Sequence, residues 1–223
     1  MARRLDAVVC DLDGTLIESA PELAAALDQL LIEYGRPGVS VTEVKTMIGD
    51  GIKKLVERGF IATGAPLAVD DLAAAARRME DIYATADISQ PFPRVVETLD
   101  RLREKGCKLA VCTNKSLAPT LHILDSLGIR GHFASVVSGD SLGAHKPDPA
   151  PLRAILDELG TAPECAVMVG DSANDVIMAN AAGVTVIAVS YGYAQGPVGE
   201  LGADGVIAKF SDLPIAVTAL GFE

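Results

Sequence analysis

The chain alternates short apolar runs with longer stretches of mixed polarity. "AVVC" (7–10), "KLAVC" (108–112), "FASVV" (133–137), "CAVMV" (165–169) and "VTVIAV" (184–189) are rich in valine and show little polar alternation. Continuous hydrophobicity of that length predicts strands covered on both faces. Helical patterns lie between most of them. In "RVVETLDRLREKG" (94–106), Val95, Leu99 and Leu102 share one face and Gly106 marks the stop. Strands alternating with helices predict an α/β fold, a Rossmann-like parallel sheet core with right-handed crossovers and helices on both faces.

One interval breaks this rhythm, because nearly a hundred residues separate the first strand from the second. It opens on Ser19 and Glu22, spaced as a capping box, after which Leu23, Leu27, Leu30, Leu31 and Tyr34 repeat with helical period until Gly35. Ser40 and Glu43 repeat the capping spacing. "DDLAAAARRMEDIYATA" (70–86) is alanine-rich and places Leu72, Met79 and Tyr83 on one side of a helix. The pattern predicts an inserted small α-helical cap domain at 18–86, with a core domain built from 1–17 and 87–223. The prolines of "QPFP" (90–93) break any helix continuing out of the insert.

Composition narrows the function. With 223 residues, 49% of them hydrophobic, the chain has material for a large buried core. Its 30 acidic and 19 basic residues give a net charge of −11, which argues against a nucleic-acid partner, since phosphate backbones call for a clustered basic surface. No apolar run approaches the roughly 20 residues that span a membrane. The start of the chain lacks the apolar stretch of a signal peptide, so a cytoplasmic location without membrane partners is expected. Cys10, Cys107, Cys112 and Cys165 form no CxxC pair and read as small core residues in a reducing compartment.

The candidate chemistry collects at strand ends. Asp11, Asp13, Gly14 and Thr15 follow "AVVC"; Thr113 and Asn114 follow "KLAVC"; Lys146 lies in the loop after "FASVV"; Asp171 and Asp175 follow "CAVMVG". The carboxyl edge of an open α/β sheet is where ligands bind, so four strand ends deliver carboxylates, a hydroxyl, an amide and an amine to one rim. A calcium loop is a competing reading of "DLDGTLIESAPE", with Asp11 and Glu22 at positions 1 and 12. Leu16 stands where that loop needs glycine, and a strand rather than a helix precedes it. Close carboxylates repel one another by about 4 kcal/mol per pair at an effective dielectric of 20, so a cation is expected. An all-oxygen donor set without histidine favours Mg2+, and Lys146 supplies a further positive charge.

"DLDGT", "VCTN", "HKPDP" and "VGDSANDV", in that order, resemble the four motifs of the haloacid dehalogenase superfamily of aspartate-nucleophile phosphatases. The long interval after the first motif is similar to that superfamily's helical cap. "SAPELAAALDQLLIEYGRP" followed by "MIGDGIKKLVERG" is similar to the phosphoglycolate phosphatases within it.

The resemblance implies Asp11 as nucleophile toward phosphorus and Asp13 as the acid and base that serves the leaving alkoxide and then the attacking water. It implies phosphoryl contacts from Gly14, Thr113, Asn114 and Lys146. Magnesium would be held by Asp11, the main-chain carbonyl of Asp13 and Asp171, with Asp175 in support. The substrate is expected to be a small phosphorylated metabolite, 2-phosphoglycolate first, with its carboxylate met in the cap by Arg58, Lys53, Lys54 or the "GDG" turn (49–51). Sugar-phosphate hydrolysis or mutase chemistry and pyrophosphate hydrolysis stand as alternatives, and the chain is expected to be a monomer or homodimer. A phospho-receiver domain would cluster similar groups, but it should lack the helical insert and carry its acceptor aspartate on a later strand.

Overall fold

The computed structural model describes residues 3–86 and 89–223. These divide into two compact units, one formed by Met1–Glu18 with Gln90–Glu223 and the other by Ser19–Ser89. The border expected between 86 and 87 touches Asp87, which lies outside the described residues.

The first unit is built on a six-stranded sheet, all of whose neighbouring pairs are parallel. Its strands are β1 (Ala7–Cys10), β4 (Lys108–Cys112), β5 (Ser135–Val137), β6 (Ala166–Gly170), β7 (Thr185–Val189) and β8 (Gly205–Ile207), in the order β5-β4-β1-β6-β7-β8. β1 is central, with Ala7 to Cys10 in register with Lys108 to Val111 on one side and with Ala166 to Val169 on the other. Succession along the chain runs outward through β4 and β5, then returns across β1 to β6. That reversal opens a crevice at the carboxyl end of β1. Every residue of β1 is fully buried, as its continuous apolar pattern requires.

Alternate strand residues build one core. Ala7, Val9, Ala110, Cys112, Ala166, Met168 and Val186 pack on one face with Leu152, Ile155 and Leu156 of α7 (Ala150–Leu159) and Met178 and Ala179 of α8 (Ala173–Ala182). On α5 (Val95–Glu104), Val95, Leu99 and Leu102 are buried as expected, and this helix packs on β4 and on α9 (Leu213–Ala219). Five of the six strands follow from the apolar runs. β8 escapes that pattern because it has three residues, sits at the edge and buries only Ile207. The "QPFP" stretch also does more than break a helix, since β3 (Gln90–Pro91) pairs antiparallel with β2 (Ile17–Glu18). Proline is tolerated there because the ribbon has only two strands, each with an open edge.

The second unit is helical, with α1 (Ala20–Glu33), α2 (Val41–Lys45), α3 (Ile52–Ala62) and α4 (Val69–Tyr83). Its core joins Leu23, Leu27, Leu30 and Leu31 to Val56, Phe60, Ala75 and Met79. Gly59 lets α3 approach α1, because a Cβ there would stand 2.9 Å from Leu27 Cδ2. Ser40 and Glu43 form the expected capping box, with the Glu43 amide donating to Ser40 Oγ at 3.2 Å and the Ser40 amide to Glu43 Oε2 at 2.8 Å. Ser19 and Glu22 do not: Ser19 makes no side-chain cap on α1, and Glu22 Oε2 instead accepts from Ser89 Oγ at 3.3 Å. The Ser19 backbone is already near helical (φ −104°, ψ −3°), away from the extended geometry a capping hydroxyl needs.

Candidate active site

β1, β4 and β6 are adjacent, so the turns leaving their carboxyl ends converge on one crevice. Asp11 leaves β1 buried, and its Oδ1 accepts from the Leu12 amide at 2.7 Å. Lys146, in the loop after β5, is almost wholly enclosed, and its Nζ lies 2.7 Å from Asp11 Oδ1 and 2.8 Å from Asp175 Oδ1. Asp175 stands in the first turn of α8, where its Oδ2 also accepts from the Ser172 amide at 3.1 Å and the Ser172 hydroxyl at 2.7 Å. Asp171 Oδ2 accepts from the Tyr193 amide at 2.6 Å.

Three glycines permit this density. A Cβ on Gly14 would fall 2.2 Å from Asp171 Oδ2 and 2.9 Å from Tyr193 Cδ2, with the backbone at φ +82°. On Gly170 it would meet Asp175 Cγ at 2.3 Å, and on Gly192 it would meet Asp171 Cβ at 2.3 Å. What Gly14 demonstrably admits is therefore the Asp171 carboxylate.

Asp11, Asp171 and Asp175 each offer an oxygen within 4.8 Å of the others. Burial pushes the Asp11 carboxyl up to about 7, opposed by Lys146 and reinforced by Asp175 and Asp13. Burial likewise raises Asp171 well above the usual carboxylate range, with Asp11 and Asp175 adding to it. For Lys146 burial works against the charged form, but Asp11 and Asp175 outweigh it and the ammonium is held more firmly than in water. Fully ionised, three carboxylates against one ammonium would carry two negative charges, a form that a cation would favour. Hard oxygen donors in that balance fit one divalent cation of the magnesium kind.

Thr113 and Asn114 sit in the turn after β4, as expected; α6 (Leu117–Ser126) starts beyond them, and Asp140 Oδ1 accepts the Leu117 amide at 2.8 Å. The Asn114 carboxamide grips the Lys146 main chain from both sides, its Nδ2 donating to the Lys146 carbonyl at 3.1 Å and its Oδ1 accepting the Lys146 amide at 3.0 Å. Its side chain thus sets the loop that delivers the lysine, and the Lys146–Pro147 peptide bond in that loop is cis. Arg58 lies in the helical unit, where its guanidinium donates to the Met47 carbonyl at 2.7 Å and to Asp50 Oδ2 at 2.5 Å.

Several residues at the crevice went unnoticed in the sequence. Lys115 Nζ stands 3.3 Å from Asp13 Oδ2. Tyr191 donates its hydroxyl to the Thr15 carbonyl at 2.8 Å and packs its ring on Phe92, with centroids 4.6 Å apart. The Tyr193 amide holds Asp171, and Gly192 in the same turn leaves room for it. The strand-end rule that located the other groups also points to 190–193, which follow β7. Lys115 carried a fainter signal, as the next residue after Asn114. The cysteines are free thiols, and burial pushes Cys107 and Cys112 up to about 12, away from thiolate chemistry.

A family model described as haloacid dehalogenase-like hydrolase matches residues 5–183. A phosphoglycolate phosphatase of Caulobacter vibrioides is 42% identical over 215 residues, covering 96% of this chain and 91% of that protein. Another from Rhodospirillum rubrum is 44% identical over 213 residues, covering 93% and 88%. Among solved structures, that of a predicted phosphoglycolate phosphatase from Haemophilus somnus superposes with a TM-score of 0.90 at 32% identity, covering 95% of this chain and 97% of the other. The match of the family model and the likeness along nearly the whole length agree with the strand-end chemistry, and the chain belongs to the haloacid dehalogenase-like hydrolases.

Proposed function

We propose that the chain hydrolyses a small phosphomonoester, 2-phosphoglycolate first, through a phosphoryl group carried on Asp11. The observation that carries this reading is the buried Asp11–Lys146–Asp175 arrangement, with Asp171 within reach and Asp13 two residues beyond the nucleophile. A carboxylate nucleophile divides one difficult displacement into two easier ones. Lys146 holds Asp11 Oδ1 and offsets charge as the phosphoryl group arrives. Asp13 protonates the departing alkoxide oxygen, then takes a proton from the water that attacks phosphorus and frees Asp11. Thr113, Gly14 and the main-chain N–H of Asn114 line the phosphoryl position, while the Asn114 side chain keeps Lys146 in place.

Asp11, Asp171 and the main-chain carbonyl of Asp13 would hold magnesium, with Asp175 supporting through Lys146 and Ser172. When bound, the ion shields phosphoryl and carboxylate charge from one another and orients the phosphate. The helical insert is proposed to select the substrate, acting as a cap that excludes water during the first step. Arg58, Lys53 and Lys54 are its cationic candidates for the substrate carboxylate. Because Arg58 holds Met47 and Asp50, its part would run through the Gly49–Gly51 turn that it fixes.

The test is a panel of 2-phosphoglycolate, hexose phosphates and pyrophosphate, assayed with magnesium and with chelator. We expect preferred release of phosphate from 2-phosphoglycolate, loss of at least about 100-fold on chelation, and no turnover by Asp11→Asn. Preference for a hexose phosphate would overturn the substrate, and an active Asp11→Asn protein would overturn the nucleophile.

A further inference from the structure

Two lysines approach the two aspartates of the "DLDGT" turn, and only one of them has a role so far. Lys146 takes Asp11, whereas Lys115 reaches Asp13 Oδ2 at 3.3 Å, with the side chains only 9% and 13% exposed. At Asp13 the two carboxylate oxygens differ. Oδ2 faces Lys115, while Oδ1 is buried without a hydrogen-bond partner in the protein. A buried acceptor left open is uncommon enough to call for an explanation.

The backbone that presents Lys115 is held on both sides. Its amide donates to Thr113 Oγ1 at 3.2 Å, and its carbonyl accepts from the Gly139 amide at 2.9 Å. Gly139 cannot be larger without disturbance, since a Cβ there would stand 2.4 Å from the Asn114 carbonyl oxygen. The turn after β4 is thereby locked against the loop after β5, and the lysine side chain is directed from it toward the turn after β1. At 3.3 Å the contact is longer than a tight charge-assisted hydrogen bond of about 2.7–2.9 Å. It can restrain the carboxyl without immobilising it.

We infer that Lys115 is a positioning residue, which tethers Oδ2 of Asp13 so that Oδ1 is the oxygen presented to the leaving group and then to water. This rests on the proposed role of Asp13. In the first step the proton passes from the Asp13 carboxyl to the alkoxide oxygen as its bond to phosphorus breaks and the bond from Asp11 forms. In the second, the Asp13 carboxylate takes a proton from water as the water oxygen bonds phosphorus and Asp11 leaves. Both transfers call for the same oxygen to face the same side, and a tether on the other oxygen favours that orientation.

Leaving-group dependence gives the test, because a p-nitrophenolate departs without needing a proton and an alkoxide does not. Single-turnover kinetics with magnesium-loaded enzyme in saturating excess are measured for 2-phosphoglycolate and p-nitrophenyl phosphate, with wild type, Lys115→Met and Lys115→Arg. General acid catalysis contributes about 100-fold or more. In Lys115→Met we therefore expect first-turnover glycolate release to fall by at least about 30-fold and p-nitrophenolate release by less than about 3-fold. Lys115→Arg should recover most of the glycolate rate. Equal loss with both esters, loss with neither, or an effect confined to substrate affinity would overturn the inference. Lys115→Gln carries the same expectation should the methionine variant not fold. If the wild type itself cleaves no phosphate ester, the phosphatase reading fails rather than the role of Lys115.

Discussion

Replacing Lys146 with methionine keeps the length of the side chain and removes one positive charge from between two carboxylates. The ammonium lies 2.7 Å from Asp11 Oδ1 and 2.8 Å from Asp175 Oδ1, with its side chain 2% exposed. Each contact corresponds to about 6 kcal/mol of Coulomb attraction at an effective dielectric of 20. Most of that offsets the cost of taking three charges out of water. The methionine variant bears the same desolvation of Asp11 and Asp175 without the attraction. Breaking a buried pair in this way costs about 3–5 kcal/mol. With a urea dependence of about 3 kcal/mol per molar for a chain of this size, the unfolding midpoint should fall by about 1–2 M. Circular dichroism in chelated buffer at pH 7 reads this directly, with Lys54→Met as the control. Lys54 pairs with Glu57 on the exposed side of α3, a surface contact worth about 0–1 kcal/mol. A midpoint within about 0.3 M of wild type at pH 7 would refute the account of Lys146 as the counter-charge of the cluster.

Two further outcomes follow from the same site. Gly14→Ala forces a side chain into φ +82° and against Asp171 Oδ2, so we expect about 1–2 kcal/mol from the backbone alone and at least a tenfold loss in kcat; an alanine enzyme with wild-type turnover would contradict the packing argument. Asp11→Asn, studied in chelated buffer, reports the pH linkage. The folded Asp11 carboxyl titrates at about 7 and the unfolded one at about 3.9. The folded state therefore keeps a proton that the unfolded state has released, and this contribution is full below about pH 4 and lost by about pH 7. The asparagine variant cannot titrate, so its stability relative to wild type should grow between those values, and a pH-independent difference would count against the burial of Asp11.

Much of this architecture was legible in the residues. Unbroken runs such as "AVVC" announced two-sided burial, and the strand ends after them located Asp11, Lys146, Asp171 and Asp175, which the structure brings together. The Ser40–Glu43 box was equally readable because the reciprocal bonds it makes are local. Ser19 and Glu22 show the same spacing and fail, since a backbone angle set by the helix entry, and the presence of Ser89 for Glu22, decide against the cap. β8 was missed for want of length and burial.

The order of residues along the chain thus determined the sheet, the helical interval and which chemical groups emerge at one rim, because periodicity and strand-end position are local properties of sequence. The partnerships within the rim were decided by tertiary structure alone. That Asn114 clasps the Lys146 main chain, that Lys115 crosses to Asp13, and that Gly14 makes room for Asp171 all join residues distant in sequence. Which atom meets which depends on β4, β1 and β6 lying side by side in the sheet. Distances of a few tenths of an ångström, which no spacing in the sequence encodes, then select one partner over another.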